Sequence, residues 1–383
     1  MRLAFAVSRR FRAVVAHAVP ATVLFLAALT AVVLSSCSTD ILPTSLQSDI
    51  AATTKETSLS SKQGTGSTQA LTFWRVGNAN DVTRTTSGGT VLMGGGTDVD
   101  EAFRWMISKS GGGDFVILRA TGTNAYNDYV YTQLGGVNSC ETILIDSRAA
   151  ANDATVEQKI RNAEAVFIAG GDQSNYVNFW EGTKVEDALN YLINTKKVPV
   201  GGTSAGCAIQ GKIYFSAVNL GTSTLTSAEC LANPYNTKLT LGRDNFLNNS
   251  ALTNTITDTH FNNPDRRGRL VTFLARMSKD YGIMPKGIGV DEQTAVCIEN
   301  GVGKVYGSGT AFFLIQNTSA GVPERCVSGS SLDWYRSKQA IEVYKVSGTT
   351  TGANSFNVST WASGTGGSWQ FYYVDRGTLG ISY

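Results

Sequence analysis

The sequence predicts an α/β fold, a mostly parallel sheet with helices on both faces, followed by a β-rich C-terminal extension. Short β-branched apolar runs alternate with stretches of helical spacing, as consecutive βαβ units require. Three of the runs lead into glycine-rich turns, where the functional loops of a parallel sheet gather. The last stretch, 348–383, changes to Gly, Ser, Thr and aromatic residues, a texture open between a β-appendage and a poorly ordered tail. With 42% apolar residues in a chain of 383, a sizeable core is within reach.

In chain order, the first 36 residues read as an export signal: Arg2, Arg9, Arg10 and Arg12 precede an apolar run from Ala13 to Leu34. The following Leu34-Ser35-Ser36-Cys37 resembles a bacterial lipobox, so Cys37 is expected to carry lipid and become the mature N-terminus. A plain cleaved signal or a membrane anchor interrupted by His17 and Pro20 are the alternatives. Residues 37–70, rich in Ser, Thr, Gln and Lys, read as a flexible tether. The expected address is the bacterial cell envelope, with the chain lipid-anchored on the periplasmic or cell-surface side.

Losing that signal changes the charge. The 32 basic residues less its four arginines leave 28 against 30 acidic ones, a mature net charge of −2. Nucleic acid is therefore not an expected partner. Of the six cysteines, five remain besides Cys37, with no C-x-x-C pair and one histidine, His260. No metal site and no cofactor are expected on that donor set. The five thiols leave at least one outside any disulfide.

From residue 71 the runs "TVLM" (90–93), "DFVILRA" (114–120), "ETILID" (141–146), "AVFIAGG" (165–171) and "VPVGG" (198–202) read as strands. Between them "DVDEAFRWMISKS" (98–110), "DATVEQKIRNA" (153–163) and "KVEDALNYLINTK" (184–196) carry helical spacing. The glycine turns are "GGG" (94–96), "GGDQ" (170–173) and "GGTSAG" (201–206). Beyond a polar region, 214–257, a helix is expected over 265–280, then strands and turns over 287–316 at the edge of the same domain.

The stretch "VPVGGTSAGCAIQGK" admits two chemistries. Read as G-x-S-x-G, it places Ser204 on a tight strand-to-helix turn between Gly202 and Gly206. Read as a phosphate loop ending in Gly211-Lys212, it fails at Ile213, where a hydroxyl would be needed to ligate magnesium. A serine nucleophile needs a base, and in the mature chain only His260 supplies an imidazole. The acid stays open from the residues themselves: Asp244 or Asp258 would fit an α/β-hydrolase order, while Asp291 or Glu292 would mean another fold.

"FIAGGDQSNY", "GGTSAG", "DTHF" followed by an arginine-rich helix start, and "GIGVDEQTA" then "VYGSG" stand in the order and approximate spacing of a known group. The chain over about 75–316, more weakly to 347, resembles the cyanophycinase and dipeptidase E family of serine peptidases, flavodoxin-like relatives of class I glutamine amidotransferases. The resemblance implies a serine peptidase domain over 71–347, with Ser204 as nucleophile, His260 as base and Glu292 as orienting acid. It further implies an oxyanion hole from the amides of Gly171 and Ala205, and a substrate contact from Gln173. Cys207 is expected to be a packed helix residue.

Two departures bear on substrate. Cyanophycinases usually read D-Q-H-F where this chain has Asp258-Thr259-His260-Phe261, and Pro264 interrupts the cluster that leaves Arg266, Arg267 and Arg269. These weigh against cyanophycin itself. The expected activity is exopeptidase cleavage of short aspartyl or β-aspartyl peptides, with Arg266 and Arg269 on one helix face to meet a carboxylate. An esterase with a Ser-Asp-His triad and an inactive peptide-binding lipoprotein are the alternatives. The oligomeric state is open, a homodimer included.

Overall fold

The computed structural model describes residues 70–383. The expected signal, Cys37 and the tether up to residue 69 lie outside the described residues.

The five apolar runs become five strands. After β1 (Thr72–Gly77) come β2 (Gly89–Met93), β3 (Asp114–Arg119), β4 (Ser139–Leu144), β5 (Ala165–Ile168) and β6 (Pro199–Thr203). The last five pair in parallel in the order β4-β3-β5-β6-β2, and β1 adds antiparallel to β4. Chain direction across the sheet reverses between β3 and β5, the kind of switch point beside which ligands bind in such sheets.

Alternation along the buried strands assigns their two faces. Phe115, Ile117 and Phe167 point to the side of Phe103 and Met106 on α1 (Asp100–Lys109) and Tyr126 on α2 (Ala125–Asp128). Val116, Leu118, Val166 and Ile168 point to the other. That second face is covered by α3 (Arg148–Ala151), α4 (Ala154–Asn162), α5 (Gln173–Trp180) and α6 (Lys184–Tyr191), which runs on into a π-helical turn, Leu192–Lys196. Asp153 starts α4 by accepting the Thr155 amide at 2.7 Å, and Asp172 starts α5 through the Ser174 amide at 2.8 Å. Helices thus lie on both faces, as the alternation predicts.

After α7 (Ala205–Ala208) the polar region contains a two-stranded ribbon, β7 (Ile213–Phe215) with β8 (Leu241–Arg243), and α8 (Ser227–Ala232). A second sheet follows. Its members are β9 (Thr255–Asp258), β10 (Lys286–Val290), β13 (Thr310–Gln316), β14 (Ile341–Ser347), β17 (Gly367–Asp375) and β18 (Thr378–Ser382), whereas β11 (Thr294–Glu299), β12 (Val302–Gly307), β15 (Asn354–Asn357) and β16 (Gly364–Thr365) extend the first. The long helix α9 (Arg267–Tyr281) buries Leu270, Phe273 and Met277 against Leu314, Val343 and Tyr372 of the second sheet. Leu92, Val296 and Val305 of the first sheet meet Val290, Phe313 and Val346 of the second.

Residues 287–316, expected as strands and turns at the edge of the domain, cross between the two sheets. β10 and β13 belong to the second sheet, β11 and β12 to the first. β10 and β11, on either side of the crossing, read alike in sequence because both are buried, and only their pairing partners differ. Residues 348–383 contribute strands to both sheets.

Candidate active site

Five strand ends meet at one place: β2, β5 and β6 of the first sheet and β9 and β10 of the second. Backbone bonds stitch them together. The Ser204 amide donates to Met93 O at 3.0 Å, His260 N to Gly94 O at 2.8 Å, Gln293 N to Gly95 O at 2.9 Å and Phe261 N to Val290 O at 3.3 Å. The end of β2 and the "GGG" turn after it, residues 93–96, are therefore the shared platform of the serine, the histidine and the carboxylate.

Ser204 follows β6 and caps α7 with φ 50° and ψ −115°, a conformation L-residues rarely adopt. The strain is held by close packing on both sides. A β-carbon on Gly202 would lie 2.5 Å from the Gly206 carbonyl, and one on Gly206 would overlap the Ile168 carbonyl of β5. This is the physical content of G-x-S-x-G here: strand and helix approach too closely for side chains, leaving the serine at the bend.

His260 bridges the serine and Glu292. Ser204 Oγ lies 2.8 Å from His260 Nε2, and His260 Nδ1 lies 2.7 Å from Glu292 Oε1. With Nδ1–H donating to the carboxylate, Nε2 carries the lone pair that accepts the serine hydroxyl. Burial lowers the His260 pKa from its ordinary value, against the pull of the Glu292 hydrogen bond, and the Arg266 charge lowers it further. Burial thus favours the neutral imidazole, the form a general base needs.

The other carboxylates are engaged elsewhere. Asp258 is buried and takes both Arg269 Nη2 and, at 3.0 Å, Arg269 Nε. Asp244 is exposed beside Lys212 and Arg243. Asp291 accepts the Asn262 amide at 3.0 Å and its side-chain nitrogen at 2.8 Å, tying the end of β10 to the loop that carries His260.

The geometry corrects one expectation. Arg269 is 5% exposed and points inward at Asp258 and at the Leu225 carbonyl, so it does not face the triad as a substrate contact. The reason is the buried Asp258 carboxylate, which holds the Arg269 guanidinium on two nitrogens, while Arg266, the N-cap of α9, makes different contacts. Arg266 stays half-buried near the imidazole, its Nη1 donating to the Thr259 carbonyl at 2.9 Å.

Gly170 and Gly171 end the turn after β5. A β-carbon on Gly170 would lie 3.6 Å from Ser204 Cβ, which puts this turn against the serine. Gly171 has φ 144°, a backbone that favours glycine. Gln173 is the first residue of α5, half-buried, and Ala205 is the first of α7. Cys207 is fully buried, and burial pushes its thiol well above the ordinary range, away from a nucleophilic thiolate. Among the described residues no group of His, Cys, Asp and Glu is placed to hold a metal. The sequence marked "GGG" as a strand end but carried no signal for its contact with His260, nor for the clamp between Asp291 and Asn262.

A strained serine bonded through histidine to a carboxylate is the constellation of a serine hydrolase. The sequence model of peptidase family S51 matches residues 86–305, more than half of the chain, and the chain belongs to that family. It is 26% identical over 176 residues to the cyanophycinase of Geminocystis herdmanii, covering 46% of this chain and 58% of that one. To the cyanophycinase of a Nostoc species it is 27% identical over 176 residues, 46% and 53% of the two chains. The chain thus spans about half the length of the curated relatives it matches. Among solved structures, a peptidase from an acI-B1 Actinobacterium is similar at 14% identity and a TM-score of 0.44, covering 71% of this chain and 98% of that one.

Proposed function

We propose that this chain is a lipid-anchored, exported serine exopeptidase that hydrolyses short aspartyl or β-aspartyl peptides. The observation that carries the reading is the hydrogen-bonded line from Ser204 Oγ through His260 to Glu292. Ser204 Oγ attacks the scissile carbonyl carbon while its proton passes to His260 Nε2. The carbonyl oxygen takes up negative charge against the amides of Gly171 and Ala205, each such donor worth about 3–4 kcal/mol of barrier. Collapse breaks the C–N bond, and the imidazolium returns the proton to the leaving amine. Water, deprotonated by the same imidazole, then releases the acid and restores the serine. Glu292 holds the ring in the tautomer this needs.

Substrate class rests on two supports: the relatives are named for cyanophycin, and the half-buried Arg266 lies where its charge reaches the imidazole. A guanidinium there suits a carboxylate near the scissile bond. Export and anchoring rest on the lipobox-like Leu34-Ser35-Ser36-Cys37; among the described residues no helix is long and apolar enough to cross a membrane.

The test is hydrolysis of Asp-X and β-Asp-X dipeptides by the purified chain beside Ser204→Ala, His260→Ala and Glu292→Gln. The first two are expected to lose all turnover at unchanged melting temperature, and the third to lose less. Full hydrolysis by Ser204→Ala would remove the serine mechanism. Equal rates on Leu-X dipeptides would remove the acidic preference and leave the mechanism standing.

A further inference from the structure

The turn after β5 is held from behind by a side chain outside the triad. Tyr176, on α5, is 1% exposed, and its hydroxyl reaches the carbonyl oxygens of Ala169 at 2.8 Å and Gly170 at 3.0 Å. Its ring is stacked on Trp180 at 4.3 Å between centroids, and the Trp180 indole donates to the Ile145 carbonyl at 2.9 Å. The phenol is fixed in place.

The Gly170 carbonyl and the Gly171 N–H are opposite edges of one planar peptide, so whatever fixes the first aims the second. Between two glycines, with φ 144° at Gly171, that peptide has no β-carbon on either side to restrict its rotation. Donation to the carbonyl also polarises the N–H on the far side. We infer that Tyr176 is a positioning residue of the oxyanion hole: its one hydroxyl proton, shared between the Ala169 and Gly170 carbonyls, keeps the Gly171 amide directed at the position taken by the substrate oxygen above Ser204. It touches neither substrate nor nucleophile and acts through the peptide it holds. This inference rests on the serine-hydrolase reading above, since Gly171 has an oxyanion to meet only if Ser204 attacks a carbonyl.

The experiment uses a fluorophosphonate probe, in which Ser204 Oγ displaces fluoride at phosphorus and the phosphoryl oxygen occupies the oxyanion position. Its advantage is that it needs no identified substrate. Tyr176→Phe removes one oxygen and keeps the ring. The expected result is labelling slowed at least tenfold, with kcat on an aspartyl dipeptide falling likewise, KM little changed and the acid limb of the pH profile unmoved. Labelling at the wild-type rate by folded Tyr176→Phe overturns the inference. Should that variant not fold, p-aminophenylalanine at position 176 carries the test, since it fills the same space with a weaker donor: slowed labelling supports the inference, and an unchanged rate overturns it. If wild-type protein itself is not labelled at Ser204, the serine-hydrolase reading fails, and this inference with it. Wild-type labelling with an indifferent Tyr176 sinks this inference alone.

Discussion

Gly95 lies directly against the ring of His260. A β-carbon at position 95 would come within 2.5 Å of Nε2, the atom that faces Ser204 Oγ, and within 3.1 Å of Nδ1. The backbone there, φ 105°, also disfavours any other residue. Gly95→Ala is therefore expected to displace the imidazole and cut kcat by about a hundredfold, the scale on which misplaced catalytic groups cost rate. Circular dichroism and thermal melting check that the fold survives, and fluorophosphonate labelling of Ser204 reads the loss. Wild-type turnover in Gly95→Ala would mean that the ring has room this geometry does not give it.

Arg266 and Arg269 differ in burial and partners, so different outcomes are expected on removing them. Arg269→Ala strands the buried Asp258 carboxylate, and removing one partner of such a pair costs about 3–5 kcal/mol of stability. A drop in denaturation midpoint is expected, with the Asp-X over Leu-X preference intact in whatever folds. Arg266→Ala should do the reverse, lowering the preference while leaving the midpoint nearly unchanged. Comparing urea midpoints with dipeptide rates for both variants checks this, and a loss of preference in Arg269→Ala alone would reverse the assignment.

The pH dependence follows from His260. The base must be neutral to accept the serine proton, so kcat/KM rises with pH through the histidine pKa. Burial lowers that pKa, so the acid limb is expected below the ordinary histidine value of about 6.5. The Arg266 charge disfavours the imidazolium and the Glu292 hydrogen bond favours it. Removing Arg266 should thus move the limb to higher pH, and Glu292→Gln should move it lower. Rate profiles between pH 4 and 8 for the three proteins measure both shifts, and a limb that moves the same way in both variants contradicts the sign of one of them.

Attachment is tested at Cys37. Cys37→Ala precursor is expected to lose labelling by fatty acid and to escape lipoprotein signal processing, while the wild type stays with membranes, since more than one acyl chain is needed for stable anchoring. Unlabelled, wholly soluble wild-type protein would end the lipoprotein reading.

Much of this was legible along the chain because it is written in local rules. The five parallel strands and the helices at α1, α4 and α6 follow from period and β-branching, which depend only on neighbours in sequence. Gly202 and Gly206 around Ser204 mark the bend in the sequence, although the close approach to the Ile168 carbonyl that demands them comes from the neighbouring strand β5. The choice of acid was different. Asp244, Asp258, Asp291 and Glu292 all stood at plausible places, and no spacing rule separates them. Tertiary packing separates them: Asp258 is held by Arg269, Asp291 by Asn262, Asp244 lies at the surface beside Lys212, and Glu292 alone of the four bonds to His260 Nδ1. Glu292 arrives there because the chain crosses from the second sheet to the first between β10 and β11, a step set by which strands find each other as partners across long separations. The same physics placed Arg269 inward, since the buried Asp258 carboxylate, brought there by β9, takes its guanidinium as a partner. Periodicity and turn chemistry determine elements, and pairing between distant elements decides which side chains meet.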